Sequence, residues 1–206
     1  MKKRVQTSAR ELLSRLREEI WPNEISVFER PQRLKYVRKL VRPKGCVFCA
    51  AADSKNKKSK NSKIKKGSSE PLKDHLVLYM GRKMMILLNK YPYNNGHLLI
   101  IPRAHKGDFL KLTDSELKAF QVLAKHSIKI LKKVYQPQGF NLGMNLGEVS
   151  GAGIPDHIHY HVIPRWGGDT NFFPLIAQTK VVIQSVEDSY DELRPHFKKL
   201  EVKNVL

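Results

Sequence analysis

The chain has 206 residues, 41% of them hydrophobic, with 38 Lys and Arg against 19 Asp and Glu. That length suffices for one domain with extensions and a real core. It holds no run of eighteen apolar residues that would span a membrane, and two cysteines cannot build a disulfide framework.

The opening Met1-Lys2-Lys3-Arg4 is basic but is followed by polar residues rather than an apolar signal core, so an intracellular, cytoplasmic protein with no membrane partner is expected. The net charge of +19 is uneven: residues 1–66 carry 20 Lys and Arg against 6 Asp and Glu. Such a front third is either a solvated arm or an attractor of polyanions, nucleotide or nucleic acid.

In chain order, residues 8–20 suggest a short amphipathic helix, with Ser8 and Glu11 as a capping box, Leu12, Leu13, Leu16 and Ile20 on one face, and Pro22 ending it. Trp21, Phe28 and Tyr36 are candidates to dock this extension, residues 1–45, on the main domain. Cys46-Val47-Phe48-Cys49 is a C-x-x-C pair: two zinc thiolates, a redox pair or neither. Residues 53–70 are lysine-rich with Ile64 as the one aliphatic residue, and such a segment is expected to be a disordered basic insert.

Strands are expected over His75–Met80 and Lys83–Leu88 around a turn at Gly81, then over His97–Pro102, an almost wholly apolar run that should be covered on both faces. Thr113 and Glu116 form a capping box, and Leu117, Phe120, Ala124, Ile128, Leu131 and Tyr135 recur at helical spacing up to Pro137. This is the main helix. Gly139–Leu146 suggests a further strand, followed by a glycine-rich loop over 147–153 whose backbone amides would approach a phosphate closely, or which simply connects.

The stretch His157-Ile158-His159-Tyr160-His161-Val162-Ile163 alternates three histidines with β-branched and aromatic residues. In a strand, alternate side chains share a face, so three imidazoles should stand in a row while Ile158, Tyr160 and Val162 are buried behind them. Pro164 should end that strand. Same-face neighbours lie about 6.5–7 Å apart, too far for all three rings to meet one zinc without bending the strand. Zinc binding and nucleophilic attack on phosphorus both remain open on these residues alone. Lys180–Ile183 suggests a last strand, and 186–200 a helix broken near Pro195. Strands with one main helix and no βαβ alternation argue for an α+β fold with a mostly antiparallel sheet. The divisions are an extension to 45, a body over 46–183 and a C-terminal helix over 184–206.

The histidine stretch resembles the histidine triad (HIT) motif, in which three histidines alternate with apolar residues. Asn89, Gly96 to Pro102 and the helix from Thr113 resemble the upstream half of the same family, and Leu88 to Asn94, Gly139 to Gly147 and Pro164 to Phe172 resemble its bacterial branch related to diadenosine tetraphosphate phosphorylases and hydrolases. The resemblance implies a sheet of about five strands and nucleotidyl transfer or hydrolysis at the α-phosphate of an adenine nucleotide. His159 would be the nucleophile and His161, charged in the phosphate's field, would bond a phosphoryl oxygen. His157 would hold geometry or a metal, and His97 matches a histidine beside the triad. Asn89 would contact the ribose; Asn145, Ser150, Gly151 and Gly153 would lie at the phosphates. Many members carry Gln or Ser four residues before the first histidine, where this chain has Gly153, so a backbone amide or Ser150 would take over that contact. Some members bind a structural zinc, and the matching ligands here are Cys46, Cys49, His105 and His157. No organic cofactor is implied, and a homodimer joined edge to edge is. The alternatives are a nucleoside phosphoramidase and a basic nucleic-acid-binding protein.

Overall fold

The computed structural model describes residues 45–54, 71–169 and 183–200. The expected helix over 8–20, the three extension aromatics, nearly all of the basic insert and most of the strand over 180–183 lie outside these residues. The elements are α1 (Val47–Asp53), α2 (Pro71–Asp74), β1 (Val77–Met80), β2 (Met84–Leu88), β3 (Leu98–Pro102), a 3-10 turn (Phe109–Lys111), α3 (Asp114–Tyr135), β4 (Gly139–Met144), β5 (Tyr160–Arg165) and α4 (Val186–Lys198). The five strands form one sheet in the order β1-β2-β3-β5-β4, and every neighbouring pair is antiparallel. The fold is α+β, as the pattern of elements indicates.

The apolar run of β3 is explained by two cores. Leu98 and Ile100 join Met84, Ile86 and Leu88 in a core with α3 and α4. Leu99 and Ile101 join Met85 and Leu87 in a second core on the opposite face, with Phe48, Ala51 and Ala52 of α1. The C-x-x-C therefore opens a helix that covers the face away from α3. Asp53 ends α1 and Ser54 is buried, its hydroxyl donating to the Ala51 carbonyl, so these two residues of the expected insert over 53–70 are part of the folded helix and its cap.

α3 has the predicted capping box: Thr113 Oγ1 accepts from the Glu116 amide, and Glu116 Oε2 accepts from the Thr113 amide. Two expectations about proline need correction. α4 runs through Pro195 to Lys198 rather than breaking there, because Leu193 and Phe197 on either side of it are fully buried in the main core. Pro164 lies inside β5, opposite Phe140 of β4. The Arg165 carbonyl bonds toward β4, so by alternation Pro164 faces the other side, where β3 pairing has already ended at Val162. Its missing N–H has no ladder partner to lose, and its carbonyl accepts from Asn94 Nδ2 at 2.9 Å.

Candidate active site

The histidine stretch starts as extended chain, and the ladder begins only at Tyr160. The cause is Pro102. The register Ile100↔Tyr160 would set Pro102 opposite Ile158, but proline has no N–H to give. The Ile158 amide instead donates to the Lys106 carbonyl at 2.7 Å. Lys106 is itself anchored, its ammonium 2.7 Å from Glu116 Oε2. Burial pushes the Glu116 carboxyl up, but Lys106 and Thr113 together hold it below its ordinary value. Gly107 is required here, since a Cβ would come within 2.9 Å of the Asp156 backbone. As expected, Ile158, Tyr160 and Val162 pack into the α3 core. His157, His159 and His161 stand on the face shared with α1, at 0%, 7% and 8% exposure.

Each ring's partners assign its proton. Tyr93 N–H donates to His97 Nδ1 at 3.0 Å, so His97 carries its proton on Nε2 and donates to His161 Nδ1 at 2.8 Å. That leaves the His161 proton on Nε2, a buried nitrogen with no hydrogen-bond partner among the described residues. His159 Nδ1–H donates to the His157 carbonyl at 2.9 Å, leaving a bare lone pair on Nε2. The His159 and His161 rings lie 5.0 Å apart.

Burial lowers the pKa of His159, against the opposing bond to His157. Burial and then the neighbouring His159 push His161 down to about 4. In the free protein His161 is therefore a neutral N–H donor; the charge expected on it belongs to the state with a phosphate beside it.

His157 turns the other way. Its Nε2–H donates to the Pro102 carbonyl at 2.9 Å, so Nδ1 is free for a ligand. Cys46 Sγ lies 3.2 Å from that Nδ1 and Cys49 Sγ 3.7 Å from it, while Cys49 Sγ is 3.3 Å from His105 Nδ1. One donor atom from each of Cys46, Cys49, His105 and His157 lies within 4.8 Å of the others, so the group is able to hold a metal ion. The edges of a tetrahedral zinc site with two sulfurs and two nitrogens are about 3.3–3.8 Å, close to these separations. Burial, then Cys46, push the Cys49 thiol up to about 11; a cation would reverse that.

The other expected site residues are less closely gathered. Asn89 follows β2 directly, with its amide 3.3 Å from His97 Nδ1, one ring from His161. Among the described residues, Asn145, Ser150 and Gly151 make no hydrogen bond to the histidines. Ser150 Oγ donates back to the Gly147 carbonyl at 2.7 Å. Gly153 lies in the same loop, and a Cβ there would meet nothing within 4 Å.

Sequence reasoning missed Phe48, whose ring lies 5.4 Å from both His157 and His159, and the Tyr93 amide. An aromatic residue inside a metal-type cysteine pair was the available signal for Phe48; an amide gives none.

Residues 70–168 match the HIT domain. An uncharacterised HIT-like protein of Methanocaldococcus jannaschii is 36% identical over 93 residues, covering 45% of this chain and 70% of that protein. The chain belongs to the HIT family. Among other relatives, an AP-4-A phosphorylase of Mycobacterium tuberculosis is 40% identical over 114 residues, covering 55% of this chain. The match spans 58% of that relative's length. A bis(5'-nucleosyl)-tetraphosphatase (asymmetrical) of Schizosaccharomyces pombe is 30% identical over 93 residues, covering 45% of this chain and 50% of its own. The HIT fold is shared with a Zn-bound histidine triad protein from Mycobacterium smegmatis, with a TM-score of 0.54 and 22% identity over 75% of this chain and 94% of that one.

Proposed function

We propose that this HIT protein cleaves adenine dinucleotides such as diadenosine tetraphosphate at the α-phosphate, through a nucleotidyl-histidine intermediate. The observation that carries this reading is the partner set of two adjacent rings: the His157 carbonyl beside His159 Nδ1 and the His97 ring beside His161 Nδ1, which together leave a lone pair on His159 Nε2 and an N–H on His161 Nε2. A nucleophile and an oxyanion donor are what phosphoryl attack requires. The relatives named AP-4-A phosphorylase and bis(5'-nucleosyl)-tetraphosphatase support the same chemistry.

In this mechanism the Nε2 lone pair of His159 forms a bond to the α-phosphorus. The bond to the bridging oxygen breaks, and the polyphosphate leaves with its electron pair. The His159 ring then carries phosphorus on Nε2 and hydrogen on Nδ1, and its positive charge is stabilised by the His157 carbonyl. His161 Nε2–H donates to a non-bridging oxygen as charge develops there, and His97 holds the His161 tautomer. Water or inorganic phosphate then attacks the same phosphorus and frees the ring. Asn89 contacts the ribose, and Asn145 with the backbone of the Ser150, Gly151 and Gly153 loop takes the phosphates.

Cys46, Cys49, His105 and His157 hold a structural zinc. Four such ligands make a closed site that supplies no chemistry to the reaction and ties α1 to the histidine stretch. The protein works as a homodimer in the cytoplasm.

The deciding experiment mixes diadenosine tetraphosphate with wild type and with His159→Ala, with and without phosphate. Wild type should form an acid-labile AMP adduct, and His159→Ala should form none and lose turnover. ADP plus ATP in phosphate marks phosphorolysis; AMP plus ATP marks hydrolysis. Undiminished turnover by His159→Ala would sink the reading.

A further inference from the structure

We propose that Phe48 is a positioning residue for His159, holding its ring so that the Nε2 lone pair stays aimed at the phosphorus. The inference rests on the nucleotidyl-histidine reading above. Phe48 is 7% exposed and sits on α1, one residue before Cys49. Its ring centroid lies 5.4 Å from that of His157 at 87°, edge to face, and 5.4 Å from that of His159 at 54°.

One ring thus braces both the residue whose carbonyl orients the nucleophile and the nucleophile itself. A single hydrogen bond from Nδ1 to the His157 carbonyl would leave the His159 ring free to tilt about that bond. The Phe48 contact restricts the tilt, keeping the Nε2 lone pair aimed in one direction. A misaimed lone pair slows the chemical step without weakening substrate binding.

The main core does not need this ring. Phe48 belongs to the smaller cluster with Val77, Met85 and Leu99, so Phe48→Ala risks loosening α1. Phe48→Leu keeps the apolar volume and removes the ring. It is expected to lower kcat and the single-turnover rate of adduct formation about tenfold, with KM within about twofold. Phe48→Tyr should retain kcat. Imidazole nitrogen NMR gives a readout without turnover: His159 should show a single tautomer with hydrogen on Nδ1 in wild type and a mixture in Phe48→Leu. An unchanged kcat and tautomer in Phe48→Leu overturns the inference. So does a rise in KM alone, which would make the ring a substrate contact. A wild type that forms no AMP adduct defeats the functional reading instead, whatever the tautomer shows.

Discussion

His161 shows how much of this site is decided by which nitrogen holds a proton. Its Nδ1 accepts from His97, whose own Nδ1 accepts from the Tyr93 amide, so a backbone group two rings away dictates that Nε2–H points into the site. His97→Asn should therefore leave the fold intact and lower kcat by about 10- to 100-fold, read by steady-state kinetics beside circular dichroism. The same burial has a cost in acid. His161 is held at about 4 in the folded protein against about 6.5 unfolded, so the unfolded state binds more protons between those values. Stability contributed by the neutral ring is present above about pH 6.5 and lost as pH falls toward 4, by about 2 kcal/mol at pH 5. Urea midpoints at pH 7.5 and 5 should separate accordingly, and His161→Gln should remove that part of the difference.

At the scale of elements, the histidine stretch depends on its supports. Pro102 ends β3 with a carbonyl that takes the His157 ring, and Lys106 receives Ile158 while its ammonium is held at the start of α3 by Glu116. The capping box of α3 therefore has two duties, starting the helix and anchoring the loop under the triad. Thr113→Ala should cost about 1 kcal/mol in a urea titration. Cys46→Ser with Cys49→Ser tests the other support: elemental analysis should find zinc near one per chain in the wild type and a small fraction of that in the variant. Retention of metal with both sulfurs gone would move it to other ligands.

For the whole molecule, the sheet divides the labour. One face carries α3, α4 and the large core; the other carries α1 and the histidines. The sheet also ends in an edge, β4, where Leu142 is 43% exposed and Leu146, just beyond the strand, 48%. An open strand with apolar side chains beside it invites pairing. The expected outcome in analytical ultracentrifugation is a species of twice the chain mass, shifted toward monomer by Leu142→Glu. None of the described helices is long and apolar enough to cross a membrane.

The alternation of the histidines, the apolar run Leu98–Pro102 and the Thr113 box were legible because each is a local pattern whose period states its own geometry. They sufficed for the central strands, the main helix and the three histidines on one face, while the Cys46, Cys49, His105 and His157 cluster was expected only through the family resemblance. Pro164 and Pro195 were not legible in this way, because a proline is tolerated or forbidden by what lies across from it. Pro164 faces a strand that has ended, and Pro195 is carried by the burial of Phe197. Ring protonation was equally out of reach, since a tautomer is set by partners as distant in sequence as Pro102 and Tyr93. Residue types and spacing are properties of the chain, whereas a proton's position and a ring's neighbours are properties of the packed fold.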